Sequence, residues 1–232
     1  MTKPVVEMTQ LDGAVGKARA SMARSVRALR RAVSDEEKEH RRQTILAAAK
    51  RVFSEKGYAA TTIADVARAA ELSYGTIYWY FDSKEELFDA LMDTGEDALR
   101  NRILSALDAA GPADLETALR TSVRATFEHF EIDRDAARLL FRDSYALGGQ
   151  FERHLLNIYE GFIDDLEATI VAGQRDGVIR DAPARMVAFA LAALIGQLAY
   201  RRITTDDGLS AADLADFVVN LVMDGLRPSL ID

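Results

Sequence analysis

Apolar residues recur at intervals of three and four positions along most of this 232-residue chain, and no long segment alternates apolar with polar residues. Intervals of three and four place side chains on one face of an α-helix, whereas a half-buried β-strand requires alternation. Alanine and leucine, which favour helices, are abundant, and proline occurs only 4 times. The sequence therefore predicts an all-α fold.

Helix-start and helix-stop signals then divide the chain. Ser34-Asp35-Glu36-Glu37 is a capping box that predicts a helix start, and Gly57 predicts the end of that helix. Two short helices are expected at 62–70 and 73–80, and a long helix is expected to run from Ser83 through Leu107. The later helices are expected at roughly 112–131, 133–147, 150–175, 182–203 and 210–226.

Composition indicates the cellular compartment in which the protein is expected to act. Cysteine is absent, which excludes disulfides and thiolate metal sites and suits the reducing cytoplasm. Residues 14–31 are basic without an apolar segment, which argues against a signal peptide. The longest apolar run, at residues 186–200, is shorter than the roughly 20 residues of a membrane span and is interrupted by Gln197. We interpret it as a buried helix and expect no membrane association.

Enzyme motifs are missing from the sequence. The three histidines, His40, His129 and His154, show no metal-binding spacing, and no nucleophile elbow, phosphate loop or dinucleotide fingerprint occurs. We therefore expect neither an enzyme nor a bound cofactor or metal.

Charge is distributed unevenly. Residues 1–84 carry 15 Lys and Arg against 10 Asp and Glu, a net charge of +5, whereas residues 85–232 carry 14 against 27, a net charge of −13. A basic front end is suited to phosphate groups, although a chance asymmetry of a solvated surface would look the same.

The two short helices and their tight turn fit a helix-turn-helix. Ile77 and Phe81 can anchor the second helix, and Gly75 lets a partner approach its backbone at some cost in helix stability. Hydroxyl groups and backbone N–H groups at the helix starts suit phosphate oxygens. The residues expected to face outward are Tyr74, Gly75, Thr76, Tyr78 and Tyr80.

Five segments of residues 35–88 carry a resemblance to a known family. They are Ile45-Leu46-Ala47-Ala48-Ala49, Phe53-Ser54-Glu55-Lys56-Gly57-Tyr58, Thr61-Thr62-Ile63-Ala64-Asp65-Val66-Ala67, and Gly75-Thr76-Ile77-Tyr78-Trp79-Tyr80-Phe81 followed by Ser83-Lys84-Glu85-Glu86-Leu87. Together they resemble the DNA-binding domain of the tetracycline-repressor (TetR) family. The remainder of the chain resembles that family only in its helical layout.

This resemblance implies the residues that contact operator DNA. Thr62 would cap its helix and contact a phosphate, Lys84 would bind a phosphate, and Tyr78 and Tyr80 would grip the DNA backbone. The start of the recognition helix, formed by Ser73, Tyr74, Gly75 and Thr76, would face base edges or phosphates. Trp79 would either touch thymine methyl groups or pack inside. Tyr78 and Trp79 as core aromatics, and Lys84 as a solvated charge without a partner, are the alternatives.

The basic segment before residue 34 exceeds the usual start of the family. Its apolar residues fall on one helical stripe between basic side chains. We expect Arg24, Arg27, Arg30 and Arg31 to add phosphate or minor-groove contacts. An amphipathic helix that packs on its own dimer mate is the alternative.

The resemblance further implies a ligand pocket among the helices that follow the fourth, and a homodimer through the last two helices. The apolar runs in 186–200 and 210–226 are compatible with such an interface. Candidate pocket residues, many of which would be ordinary core at this spacing, are Phe127, Phe130, Phe141, Tyr145, Phe151, Tyr159, Phe162, Met186, Phe189 and Gln197.

The predicted organisation is a basic N-terminal extension (1–33), a three-helix helix-turn-helix DNA-binding domain (34–82) and a larger helical ligand-binding and dimerisation domain (83–232). The predicted function is a cytoplasmic, sequence-specific transcriptional repressor that a small apolar or lipid-like ligand releases from double-stranded operator DNA. An activator, a ligand-independent regulator, a helical interaction protein and an enzyme are the alternatives.

Overall fold

The structure, a computed structural model, describes residues 34–142, 150–205 and 208–226, with side chains except at 140–142 and 150–155. Every regular element within these residues is an α-helix, which confirms the predicted fold class. The first helix, α1, covers residues 34–56. The others are α2 (Ile63–Ala69), α3 (Tyr74–Tyr80), α4 (Lys84–Ala110), α5 (Leu115–Ile132), α6 (Arg134–Arg142), α7 (Gln150–Arg175), α8 (Ala184–Thr204) and α9 (Ala211–Leu226).

The predicted helix bounds differ from these by a few residues. The long helix α4 continues to Ala110 instead of ending at Leu107. The helix expected at 133–147 is described from Arg134 to Arg142, and the rest of that range lies outside the described residues. Differences of this size are expected because helix ends fray, so a helix boundary is defined only to within one or two residues.

The chain divides into two compact units, and the boundary between Ile45 and Leu46 falls inside α1. Of the first unit the structure describes residues 34–45, where Gln43 donates a hydrogen bond to Glu39 one turn earlier at 2.7 Å. The second unit, Leu46–Asp232, contains the rest of α1 and the helices α2 to α9.

Local signals set the ends of the first short helices. Gly57 ends α1 with a left-handed φ of 81° and donates its N–H to the Phe53 carbonyl at 2.8 Å. Thr62 caps α2 in a reciprocal capping box with Asp65. The α2–α3 turn takes its left-handed residue at Glu71, with φ 56°, and Leu72 donates back to the Ala67 carbonyl at 2.9 Å. Ser73 then caps α3 by accepting the Thr76 N–H.

Aromatic packing joins α1 to α4. The rings of Phe53 and Phe88 are fully buried and meet edge to face, with centroids 5.4 Å apart. The Tyr58 ring contacts both, at 5.5 Å from Phe53 and 5.1 Å from Phe88. The turn after α1 is therefore fastened to the start of α4.

Helices α5 to α9, called the body below, bury two apolar clusters. In the first, α5 packs against α4 and α9, and Val123, Leu191 and Val218 are buried there. In the second, α7 packs against α8, and Ile163, Ile170 and Ala188 are buried. Leu166 and Val222 pack against both clusters, so the two are contiguous.

One side of α8 and α9 is left uncovered by the residues that the structure describes. Met186 and Phe189 on α8 and Phe217 and Leu221 on α9 are each between 48% and 65% exposed. Among the described residues, α8 is the one helix long and apolar enough to cross a membrane by length and composition. The prediction of a buried helix at 186–200 holds for only one side of α8, because the other helices of the body pack against that side alone. These four residues are called the apolar stripe.

We expect replacement of Ile77 by alanine to destabilise the part of the chain that holds α3. Ile77 is fully buried, and loss of a buried isoleucine typically costs about 2–5 kcal/mol, whereas Ile77→Val should cost about 0.5–1.5 kcal/mol. Urea unfolding followed by fluorescence of Trp79, the only tryptophan, measures the effect. Leu104→Ala at a half-exposed position is the matched control, and an equal loss in both variants would contradict the anchoring role of Ile77.

Candidate functional site

The short helix α3 turns three of its four aromatic side chains outward, and the fourth, Tyr80, is half-buried. Trp79 is 65% exposed, Tyr74 54% and Tyr78 40%, whereas Ile77 and the helix-ending residue Phe81 are buried. Tyr78 and Trp79 are therefore not core aromatics, and the two predicted anchors are the residues that hold the helix. No residue of α3 carries a charge.

The four aromatic rings of α3 form two pairs. Tyr74 and Tyr78 lie one turn apart, with ring centroids at 4.8 Å and a hydrogen bond between their hydroxyl oxygens at 3.2 Å. Trp79 and Tyr80 meet edge to face, with centroids at 4.7 Å. Each pair restrains its own side chains, so the surface of α3 is ordered before any partner arrives.

The start of α3 carries small side chains at Ser73, Gly75 and Thr76. The Ser73 and Thr76 hydroxyl oxygens lie 2.7 Å apart, and the Ser73 oxygen also accepts the Thr76 N–H at 3.1 Å. A Cβ atom added at Gly75 would meet only the Ser73 hydroxyl, at an ordinary 3.9 Å. Nothing within the described residues thus requires glycine at this position, where glycine costs the helix some stability.

The start of α2 is organised around one carboxylate. Asp65 accepts the Thr62 N–H at 3.1 Å, the Thr62 hydroxyl at 2.8 Å and the Lys56 ammonium at 2.9 Å. Arg68 pairs with the same carboxylate at 3.3 Å and remains largely exposed. The Lys56 hydrogen bond, followed by those from Thr62, holds the pKa of Asp65 well below its ordinary value. Sequence reasoning missed Lys56 and Arg68, although the three-residue spacing of Asp65 and Arg68 signals a helical ion pair.

The predicted phosphate ligand Lys84 has partners inside the chain. Its ammonium donates to the carbonyl oxygens of Tyr58 and Thr61, each at 3.0 Å. These bonds place the Lys84 nitrogen beside the start of α2, because Thr61 precedes the exposed Thr62 directly. The alternative of a solvated charge without a partner is thereby excluded. Arg24, Arg27, Arg30 and Arg31 lie outside the described residues.

The candidate pocket residues are not gathered at one place. Phe127 and Phe130 are buried in the first cluster of the body, with Phe162 packed against it. Tyr159 packs against the second cluster, and its ring lies 6.3 Å from that of Phe189 on the apolar stripe. Gln197 is exposed on α8. The side chains of Phe141, Tyr145 and Phe151 lie outside the described residues.

Two polar bonds join α1 to the α5–α6 corner of the body. The Lys50 ammonium meets the Asp133 carboxylate at 2.5 Å, and the buried Ser54 hydroxyl donates to Asp135 at 2.8 Å. Asp133 also accepts the Ala136 N–H at 3.1 Å and so caps α6. A shift of the α6 start would therefore act on α1 directly.

An anchored helix-turn-helix with an aromatic outer face, followed by a larger helical body, defines a helix-turn-helix regulator. The family model described as bacterial regulatory proteins, tetR family, matches residues 45–91. The model described as tetracyclin repressor-like, C-terminal domain, matches residues 113–226. The chain belongs to the TetR family of transcriptional regulators, as the sequence motifs predict.

Known proteins resemble the chain over most of its length. The transcriptional activator FasR of Mycolicibacterium smegmatis is 28% identical over 82% of this chain and 84% of its own length. The transcriptional repressor KstR2 of Rhodococcus jostii is 27% identical over 82% of this chain and 92% of its own. The structure of Bacillus subtilis FadR in complex with stearoyl-CoA superposes with a TM-score of 0.69 at 20% identity and covers 80% of this chain and 99% of FadR.

We expect the contribution of Asp65 to stability to depend on pH. Since its pKa is depressed in the folded protein, the carboxylate stabilises the fold above the ordinary aspartate pKa of about 3.9, and this stabilisation is lost as the pH falls. Asp65→Asn should therefore lower the free energy of unfolding at pH 7, and the deficit relative to the unsubstituted protein should shrink as the pH falls below about 4. Urea unfolding across this range measures it, with exposed Asp181→Asn as control. A deficit that stays constant with pH would contradict the assignment.

Proposed function

We propose that this protein is a transcriptional repressor that binds operator DNA through α2 and α3 and is released by a small ligand held in its body. The observation that carries the proposal is the exposed, uncharged aromatic face of α3, held by Ile77 and Phe81. In a helix-turn-helix, the second helix enters the major groove and its outward side chains meet the base edges.

The proposed DNA contacts fall into two groups. Tyr74, Gly75, Thr76 and Trp79 face the bases, with Gly75 allowing the backbone of α3 to come close. Because α3 lacks basic residues, sequence preference would come from hydroxyl groups, from ring contacts with thymine methyls and from DNA shape. Contacts to the sugar-phosphate backbone would come from Thr62, Ser73, Tyr78, Tyr80 and Lys84, with Arg30 and Arg31 adding further phosphate contacts.

The proposed domains are 34–82 for DNA binding and 83–232 for ligand binding and dimerisation, after a basic extension at 1–33. The apolar stripe supports a homodimer through α8 and α9, because four large apolar residues would otherwise remain in water. Two recognition helices in such a dimer would meet successive major grooves, roughly 34–36 Å apart.

The proposed switch is a shift between two populations. A ligand among the helices of the body would favour a state in which α4 moves and the two recognition helices no longer match the DNA. The Lys50–Asp133 and Ser54–Asp135 bonds offer a second connection between the body and α1. Binding of ligand and of DNA should then weaken each other by the same factor.

The proposed ligand is apolar or lipid-like, and the protein would act in the cytoplasm. Acyl-CoA thioesters are the first compounds to screen, since FadR of the same fold was solved with stearoyl-CoA. Activation of transcription is the second candidate function, because the relative FasR is named an activator. Transcript levels with and without the gene separate the two, since loss of a repressor raises the levels of its targets.

We expect Gly75→Ala to stabilise the free protein by about 0.5–1 kcal/mol and to weaken DNA binding. The added methyl group has room within the chain, so only an outside partner would be displaced. Gly95→Ala is the matched control, since this glycine of α4 also has open surroundings and should gain stability without affecting DNA. Quenching of Trp79 fluorescence and anisotropy of labelled DNA from upstream of the protein's own gene measure binding, and urea unfolding measures stability.

The same assay tests the remaining contacts. Tyr78→Ala should weaken binding, and removal of residues 1–33 should reduce its salt dependence. If Gly75→Ala and Gly95→Ala bind equally well, the groove-facing role of Gly75 is wrong. If no fragment of a genomic library binds more tightly than unrelated DNA, the proposed function is wrong.

We expect charges on the apolar stripe to separate the dimer. Phe217→Glu together with Leu221→Glu would bury like charges in the proposed interface, so the dissociation constant should rise at least about tenfold, equivalent to about 1.4 kcal/mol. Sedimentation velocity across a concentration series measures it. Leu104→Glu, also at a half-exposed leucine, should leave the dimer intact. A monomeric unsubstituted protein, or an unaffected double variant, would contradict this interface.

A further inference from the structure

Lys84 is held by neutral groups. Its ammonium donates to two backbone carbonyls of the turn after α1, those of Tyr58 and Thr61, and lies 4.2 Å from the centroid of the Tyr58 ring. Among the residues the structure describes, no carboxylate pairs with this ammonium. Lys50 and Lys56, by contrast, are ion-paired with Asp133 and Asp65. The Lys84 ammonium is thus oriented without a direct ion pair, and the neighbouring Glu85 carboxylate attracts it electrostatically.

The Tyr58 ring that supports Lys84 is itself fixed on several sides. It packs against the rings of Phe53 and Phe88. Its hydroxyl group donates to the Glu85 carboxylate, and burial, followed by this hydrogen bond, raises the pKa of Tyr58. The ring therefore cannot turn away from the ammonium without breaking these contacts.

This arrangement matters because a lysine side chain is long and flexible. An unrestrained ammonium loses rotamer freedom when it binds a phosphate, and that loss opposes binding. Two of the three N–H groups of Lys84 are donated to the turn, which leaves one for another acceptor. The exposed Thr62 follows the turn directly, so this N–H and the Thr62 hydroxyl lie in the same part of the surface.

We propose that Tyr58 is a positioning residue for DNA binding, whose ring and carbonyl hold the Lys84 ammonium in place for a backbone phosphate. The inference rests on the proposed function, in which Lys84 contacts that phosphate. Tyr58 itself does not touch DNA; it acts through Lys84 alone.

The salt dependence of DNA affinity tests this role. Each phosphate contact contributes about 0.9 to the slope of log affinity against log salt concentration. With the labelled duplex from upstream of the gene, Lys84→Gln should reduce the slope by about 0.9 per protomer, and Tyr58→Leu should produce most of the same reduction. The double variant should lose no more than Lys84→Gln alone, because both act on one contact.

Two ring substitutions keep the test valid if Tyr58→Leu fails to fold. Tyr58→Phe retains the ring under the ammonium and should keep the full slope. Pentafluorophenylalanine at position 58 has nearly the same shape but a reversed ring quadrupole, and should behave like Tyr58→Leu. Circular dichroism and thermal unfolding identify variants that are folded.

The measured slopes distinguish the phosphate contact of Lys84 from the positioning role of Tyr58. An unchanged slope in Lys84→Gln overturns the phosphate contact and the positioning role together. The positioning role alone is overturned if Lys84→Gln reduces the slope as expected, whereas the slope stays unchanged in the folded Tyr58→Leu variant and in the protein with pentafluorophenylalanine at position 58. A further loss when Tyr58→Leu is added to Lys84→Gln also overturns it, since Tyr58 would then act independently of Lys84.

Discussion

The burial of two apolar side chains, Ile77 and Phe81, is the constraint on which the recognition surface depends. A helix of 7 residues is too short to be stable in water alone, so α3 exists because Ile77 and Phe81 fasten it and Ser73 caps it. The remaining side chains of α3 are therefore not needed to hold the helix in place. The aromatic residues of α3 consequently reach the surface on a helix whose orientation is fixed.

Charged side chains lie outside α3, on the segments before and after it. Helix α3 is neutral, and two lysines of the neighbouring segments differ in their partners: Lys56 is paired with Asp65, whereas Lys84 is held by carbonyls and a ring. Residues 85–232, which include α4 and the body, carry a net charge of −13, which disfavours DNA on this part of the chain. In the proposed function, attraction to phosphate would come from the front of the chain, and base recognition would depend on hydroxyl groups, rings and shape.

The body leaves an apolar surface exposed on one side of α8 and α9 among the described residues. Its core clusters are continuous through Leu166 and Val222, yet the apolar stripe on α8 and α9 remains in water. Burial of such a stripe by a second copy would fix the spacing of two recognition helices. The polar bonds from the α5–α6 corner to α1 would then carry movements of the body to the first helix, in addition to the covalent path through α4.

Local patterns in the sequence predicted the helices and their caps at Thr62, Ser73 and Ser83, because capping and apolar spacing act over about four residues, and the sequence motifs identified the family. Only the tertiary structure decided that Trp79 faces outward, that Lys84 binds carbonyls 23 and 26 residues away, and that the candidate pocket aromatics are divided between two clusters. Apolar spacing shows which residues share a helix face, but not what covers that face. That depends on contacts between segments distant in the chain, which no local pattern records.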